Sequence, residues 1–252
     1  MSRCLHRAGF SLLALLILLP GGASGAVDAA RYQAVFAKAS RAYDENRMEE
    51  AIRDWQSLVD AGQRLTPVWF NLGNAYYRNG QLGNAIHAYR QAWYLSPRDP
   101  DIRANLGFAA QTAGIALPSH PALVAWMLDI SRREWLQAAS LFFWLATATA
   151  VLWILFPRFR AILRPLPWAL AALLLLSMAG LLVHQQWIQR PECVVMEGPS
   201  SVLSGPFEAA TPLLSIPEGT IVRRTAQRGG WSEIRYDSTT GWLPSAVLAA
   251  VP

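Results

Sequence analysis

The stretch Trp69-Phe70-Asn71-Leu72-Gly73-Asn74-Ala75-Tyr76-Tyr77-Arg78-Asn79-Gly80, continued by Gln81 to Ala92 and closed by Pro97, decides how this chain folds. Small residues at Gly73 and Ala85 let two antiparallel helices approach closely, and Trp69, Leu72, Tyr76 and Tyr89 fill the seam between them. Gly80 turns the chain and Pro97 stops the second helix. The pattern recurs at a spacing of 34: Ala39, Gly73 and Gly107 fall in register, as do Ala51 with Ala85, Tyr43 with Tyr77, and Asn71 with Asn105. An earlier copy (32–65) carries Val35, Ala39, Ala42, Ala51, Trp55 and Leu58 at the matching places. A third copy stops after one helix (100–114, with Leu106-Gly107), as a cap over the end of a short solenoid would.

Position by position this segment, residues 31–117, resembles the tetratricopeptide repeat, whose period is also 34. The resemblance implies two repeats plus a capping helix, with a concave groove lined by first-helix positions. Those positions are Phe70, Asn74, Tyr77 and Arg78 in the middle copy, Phe36, Ser40, Tyr43 and Asp44 in the first, and Phe108 and Gln111 in the half-repeat. Some relatives of that kind clamp a partner's terminal carboxylate with paired Asn and basic residues. Here Phe36, Ser40 and Phe108 stand where the clamp needs partners. An aromatic groove gripping an extended or helical peptide is the expectation, with ordinary packing as the alternative for each aromatic.

Outside the repeats the chain turns greasy. Of its 252 residues 53% are hydrophobic and only 15% charged, with eleven Trp, a bias toward the membrane. The net charge of +5 comes from two places, Arg3 with Arg7 and Arg158 with Arg160 and Arg164; elsewhere basic and acidic residues balance. No basic face is left for a phosphate backbone, which excludes nucleic acid as a partner. Residues 1–26 read as a signal peptide: a positive end, an apolar run from Ala8 to Leu19, a break at Pro20-Gly21-Gly22, and small residues at Ala23-Ser24-Gly25-Ala26. Cleaved or kept as an anchor, it sends the repeat segment out of the cytoplasm.

Two stretches without charge, Trp135–Phe156 and Leu166–Trp187, are each 22 residues long. At about 1.5 Å per residue each reaches roughly 33 Å, enough to cross a bilayer core. Neither has the polar face that a soluble core helix needs. Trp135 and Trp187 suit one interface, Trp153 and Trp168 the other. The connecting loop, 157–165, holds three Arg and no acid, so the positive-inside rule puts it in the cytoplasm and both flanking domains outside. Membrane lipid is thus an expected partner, and the pair reads as anchors; a transport path would carry ionisable groups well inside the bilayer, whereas His184 sits near a helix end. Before the first span, Pro118 and Pro121 end the solenoid, and Trp126-Met127-Leu128 is expected to lie against the membrane surface ahead of Arg132-Arg133-Glu134.

From 191 to 252 short apolar runs are split by Gly, Pro and Ser, giving candidate strands at Cys193–Met196, Leu213–Ile216, Ile221–Arg224, Ser232–Tyr236 and Gly241–Leu243. The tail resembles bacterial SH3 domains at Ser204-Gly205-Pro206, Glu218-Gly219-Thr220, Gly230-Trp231-Ser232-Glu233-Ile234-Arg235 and Thr240-Gly241-Trp242-Leu243-Pro244-Ser245. It departs from them at Leu203, where the family often has Arg. The resemblance implies that Trp231 lines a ligand groove and that Trp242 closes the core. Cys193, left alone once Cys4 goes with the leader, reads as a buried strand cysteine.

The expected class is therefore multidomain: an α-solenoid, a two-helix transmembrane hairpin and a small all-β SH3-like barrel. That order resembles the E-type proteins of the bacterial aerotolerance (Bat) group. The resemblance implies a scaffold in the bacterial inner membrane, its outer domains in the periplasm, beside membrane proteins that carry von Willebrand factor A domains. A second expectation, from the tail, is a sensor that binds peptidoglycan. The chain shows no nucleophile elbow, phosphate loop or dinucleotide fingerprint, and its four His lack metal-ligand spacing. No cofactor, no metal and no catalysis are expected.

Overall fold

The computed structural model describes residues 22–119, 121–189 and 192–251. Most of the signal-peptide stretch, residues 1–21, lies outside them.

Five helices form the solenoid: α1 (Gly22–Asp44), α2 (Met48–Asp60), α3 (Thr66–Arg78), α4 (Leu82–Leu95) and α5 (Pro100–Thr112). The turn closing each pair needs a positive φ, and the 34-residue period delivers it at Asn46 (63°), Gly80 (76°) and Gly114 (68°). Pro67 and Pro100 open α3 and α5 where no intrahelical N–H is needed, and Asp99 caps α5 by accepting from the N–H of Asp101 at 3.0 Å. Trp55, Leu72, Val68 and Ile102 are fully buried among Ala39, Ala51, Ala75, Ala88 and Ala92. The small residues set the spacing. A Cβ on Gly73 would lie 2.6 Å from the Tyr89 ring.

Beyond the solenoid the joint contains a helix, α6 (Ala122–Asp129). Next come α7 (Arg132–Leu155), a short turn of α8 (Arg160–Leu163) and α9 (Leu166–Gln189). A capping box between Ser131 and Glu134 starts α7 three residues before the expected span, and α9 runs two residues past its expected end. Helices α7 and α9 pack side by side with the Trp135 ring against Gly180, and most of their apolar side chains stay exposed. Both are long and apolar enough to cross a membrane. His184 does not reach outward as its place near the helix end suggested: it is buried, and its Nε2 lies 2.9 Å from the Ile130 carbonyl.

The C-terminal part is an antiparallel sheet of seven strands: β1 (Glu192–Val195), β2 (Ser200–Leu203), β3 (Pro212–Ile216), β4 (Ile221–Arg228), β5 (Trp231–Tyr236), β6 (Thr239–Pro244) and β7 (Leu248–Ala250). Their order is β3-β2-β6-β5-β4-β1-β7, and no pairing among the described residues joins β3 to β7 to close a barrel. Gly229 and Gly230, both at positive φ, make the two-residue β4–β5 hairpin. Val202, Ile216, Val222, Ile234 and Leu243 fill the core with Cys193, which is fully buried as expected. Trp242 does not close that core. Ile234 pairs with Gly241 and Ser232 with Leu243, so Leu243 points in and Trp242, opposite Glu233, points out.

All four residues of β1 are buried, because the strand serves two cores at once. Cys193 and Val195 face the sheet's own interior, while Glu192 and Val194 face the solenoid. Val194, Ile221 and Val251 pack on Ile86, Tyr89, Leu106 and Ala109 of α4 and α5. The sheet therefore docks on α4 and reaches α5 through Leu106 and Ala109, while Arg103, Ala104, Phe108 and Gln111 of α5 stay exposed. At the centre of this contact the Arg90 guanidinium donates to the Glu192 carboxylate, both side chains being almost wholly buried, and lies 4.9 Å from the Trp93 ring centre. The carbonyl of Ala250, in a non-hydrogen-bonded pair with Cys193, faces away from β1 and is met at 3.2 Å by both His87 and Gln91.

Candidate protein-binding groove

Of the first-helix positions expected to line a groove, the structure sorts Phe70, Asn74, Tyr77, Arg78, Tyr43 and Phe108 into two sets. Tyr43 on α1, Tyr77 and Arg78 on α3, and Phe108 on α5 form a strip along the solenoid. The Arg78 guanidinium sits 4.6 Å from the Tyr43 ring centre and donates to Asn46 Oδ1 at 3.0 Å. The Tyr77 and Phe108 rings meet at 5.5 Å, and the Tyr77 hydroxyl is 3.2 Å from Thr112 Oγ1. Phe108 is 59% exposed, large for a phenylalanine with nothing over it. A cation stacked on one tyrosine and an aromatic pair beside it are groups that can meet apolar and acidic side chains of a peptide.

Phe70 and Asn74 are turned to internal duties. Phe70 is half-buried between the two solenoid cores, 6.1 Å from the Tyr89 ring. Asn74 Oδ1 accepts from the Tyr89 hydroxyl at 2.7 Å and from Asn105 Nδ2 at 2.9 Å. Burial pushes the Tyr89 phenol well above its ordinary value, so it stays a donor at any physiological pH. Asn105 and Thr112 escaped the sequence reading as groove residues. The 34-residue register that aligns Asn105 with Asn71 was the one available signal, and it spoke of repetition rather than of contact. Phe36 packs against Trp55 and Tyr32, which makes it a core aromatic.

Trp231 stands half-buried on the outward face of β5, paired with Arg228 on one side and Pro244 on the other; Trp242 lies diagonally across on the same face. Among the described residues no group of three or more His, Cys, Asp or Glu could hold a metal ion.

The paired helices, their 34-residue register and the half-exposed aromatic strip define a helical-repeat scaffold of the kind that binds proteins. Comparison with known families gives the same class: the model described as TPR repeat matches residues 73–114, from the middle of α3 through α5. No curated protein matches the chain.

Proposed function

We propose that the chain is a membrane-anchored adaptor of the bacterial inner membrane, holding partner proteins in the periplasm through Tyr43, Arg78, Tyr77 and Phe108. One observation supports the topology of this reading. The solenoid and the sheet, which precede and follow the two apolar helices, pack on each other across the buried Arg90–Glu192 pair. Two domains in contact lie on one side of a bilayer, which is what an even number of crossings requires. The exposed Arg158, Arg160 and Arg164 at the opposite end of the hairpin support a cytoplasmic turn. The sheet, with its outward Trp231, acts as an SH3-like domain, and the protein works by binding and not by catalysis. Its partners are membrane proteins with von Willebrand factor A domains, in an aerotolerance-type complex.

A photoreactive residue at Tyr77, in native membranes, tests this reading. Crosslinking to a von Willebrand factor A-type membrane protein is the expected result; recovery of the uncrosslinked chain alone would sink it. The outward pair of Trp231 and Trp242 favours one further reading, a sensor that binds peptidoglycan. Retention of the full chain on purified cell wall, abolished by Trp231→Ala, would put that reading first.

A further inference from the structure

Helix α6 reads Ala-Leu-Val-Ala-Trp-Met-Leu-Asp, with no polar side chain before Asp129. One face is used: Met127 and Leu128 are buried, and the helix packs against α9. The other face is bare. Leu123 is 64% and Trp126 46% exposed, one turn apart at i and i+3, with Ala122 exposed beside them. In water these would form an apolar patch with nothing to cover it.

The position of α6 says what covers it. Trp135 Nε1, at the start of α7, donates to the Met127 carbonyl at 3.0 Å, and His184 of α9 bonds the Ile130 carbonyl. The Trp126 and Trp135 rings meet edge to face at 5.9 Å, and Leu136, 46% exposed, continues the apolar surface onto α7. The patch is thus continuous with the surface of the hairpin that faces lipid on the membrane-anchor reading. Arg132 and Arg133, exposed at the head of α7, stand where lipid phosphates would lie. On the solenoid side, Asp129 pairs with Arg103 at 3.3 Å and Glu134 pairs with Arg98.

We propose that α6 is a third membrane element, a short helix resting in the boundary between headgroups and acyl chains with Leu123 and Trp126 immersed, whose partner is the lipid surface itself. It rests on the reading of α7 and α9 as a membrane hairpin and adds to it a fixed seat for the solenoid. Through Arg103 and Arg98 the seat holds the Tyr77–Phe108 strip at a set height above the bilayer.

The test uses the full chain with Cys4→Ser and Cys193→Ala, reconstituted in phosphatidylethanolamine–phosphatidylglycerol liposomes. Single cysteines at Ala122, Leu123, Leu145 and Glu49 carry an environment-sensitive fluorophore, and nitroxide lipids quench it from the headgroup or from deep in the chains. We expect labels at 122 and 123 to be quenched most by headgroup nitroxides, the label at 145 most by deep ones, and the label at 49 by neither. Quenching at 145 without quenching at 122 or 123 overturns the proposal and leaves the hairpin standing. If 145 is not quenched either, the hairpin reading falls and the proposal with it. Ala122→Cys is nearly isosteric, so a fold damaged by Leu123→Cys does not decide the outcome.

Discussion

Replacing Glu192 by Gln isolates what joins the solenoid to the sheet. The substitution keeps the shape of the side chain and strips its charge. It leaves the Arg90 charge buried with a neutral amide and the Trp93 face beside it; Arg90 Nε already has no hydrogen-bond partner. Removing one member of a buried pair costs about 3–5 kcal/mol, since the remaining charge is neither solvated nor compensated. Against that stand Ile86, Val194, Ile221 and Val251, at about 1.5–3 kcal/mol each as an upper bound. The apolar contact outweighs the loss, so the sheet stays docked but opens far more often. Hydrogen exchange reads this directly: the Val251 amide, which donates to the Glu192 carbonyl at 2.7 Å, exchanges faster, while amides in the β4–β5 ladder hold. The double variant Arg90→Met with Glu192→Leu restores protection to wild type or better, because an apolar pair of similar size has nothing to desolvate. A Glu192→Gln protein within about 1 kcal/mol of wild type would refute the reasoning, since that is the worth of a solvent-screened surface pair.

Three other outcomes are expected from the geometry. Gly73→Val drives its side chain into the Tyr89 ring and lowers stability by about 1–3 kcal/mol in thermal unfolding; an unchanged midpoint would mean that α3 and α4 do not meet there. Phe108→Ala weakens partner capture with little change in melting temperature, as its ring lies on the strip and is mostly exposed; capture that survives the substitution would move the binding site elsewhere. Burial depresses the His87 imidazole below its ordinary value, against the smaller opposing effect of its bond to Ala250. Its contribution to docking is therefore present above the unfolded value of about 6.5 and lost as pH falls through the folded one. Exchange at β7 should accelerate on acidification, and His87→Gln should remove that dependence.

The solenoid was legible because its signal is periodic: Ala39, Gly73 and Gly107 repeat at 34, and so do the turn residues Asn46, Gly80 and Gly114. Three of the five expected strands were placed to within a residue, and β4 and β6 ran longer. Strands β2 and β7 were missed because Ser200-Ser201 and Leu248-Ala249-Ala250 carry neither strong β preference nor alternation. The facing of Trp242 could not be read from Gly241-Trp242-Leu243, where no polar residue marks the outer side; pairing with Ile234 decides it. Above all, the docking of the sheet was invisible. Arg90, Gln91, His87 and Glu192 look like any polar residues on a helix face or a strand end, and only the fold shows that they meet one another. For the candidate groove, sequence position named Tyr43, Tyr77, Arg78 and Phe108, which the fold brings into one strip, but could not tell that Asn74 is held by Tyr89 and Asn105.

Because β1 and Val251 complete a core begun by α4 and α5, synthesis makes the two halves of that core far apart in time. At about 5–20 residues per second, the chain between Thr112 and Val251 takes on the order of ten seconds to emerge. Throughout that interval Ile86, Leu106 and Ala109 have left the ribosome without their cover, while the two greasy helices are still being delivered. A chaperone that shields this face until the last strand arrives would find its substrate ready-made, and a ribosome stalled before β7 would leave the nascent protein open to aggregation along α5.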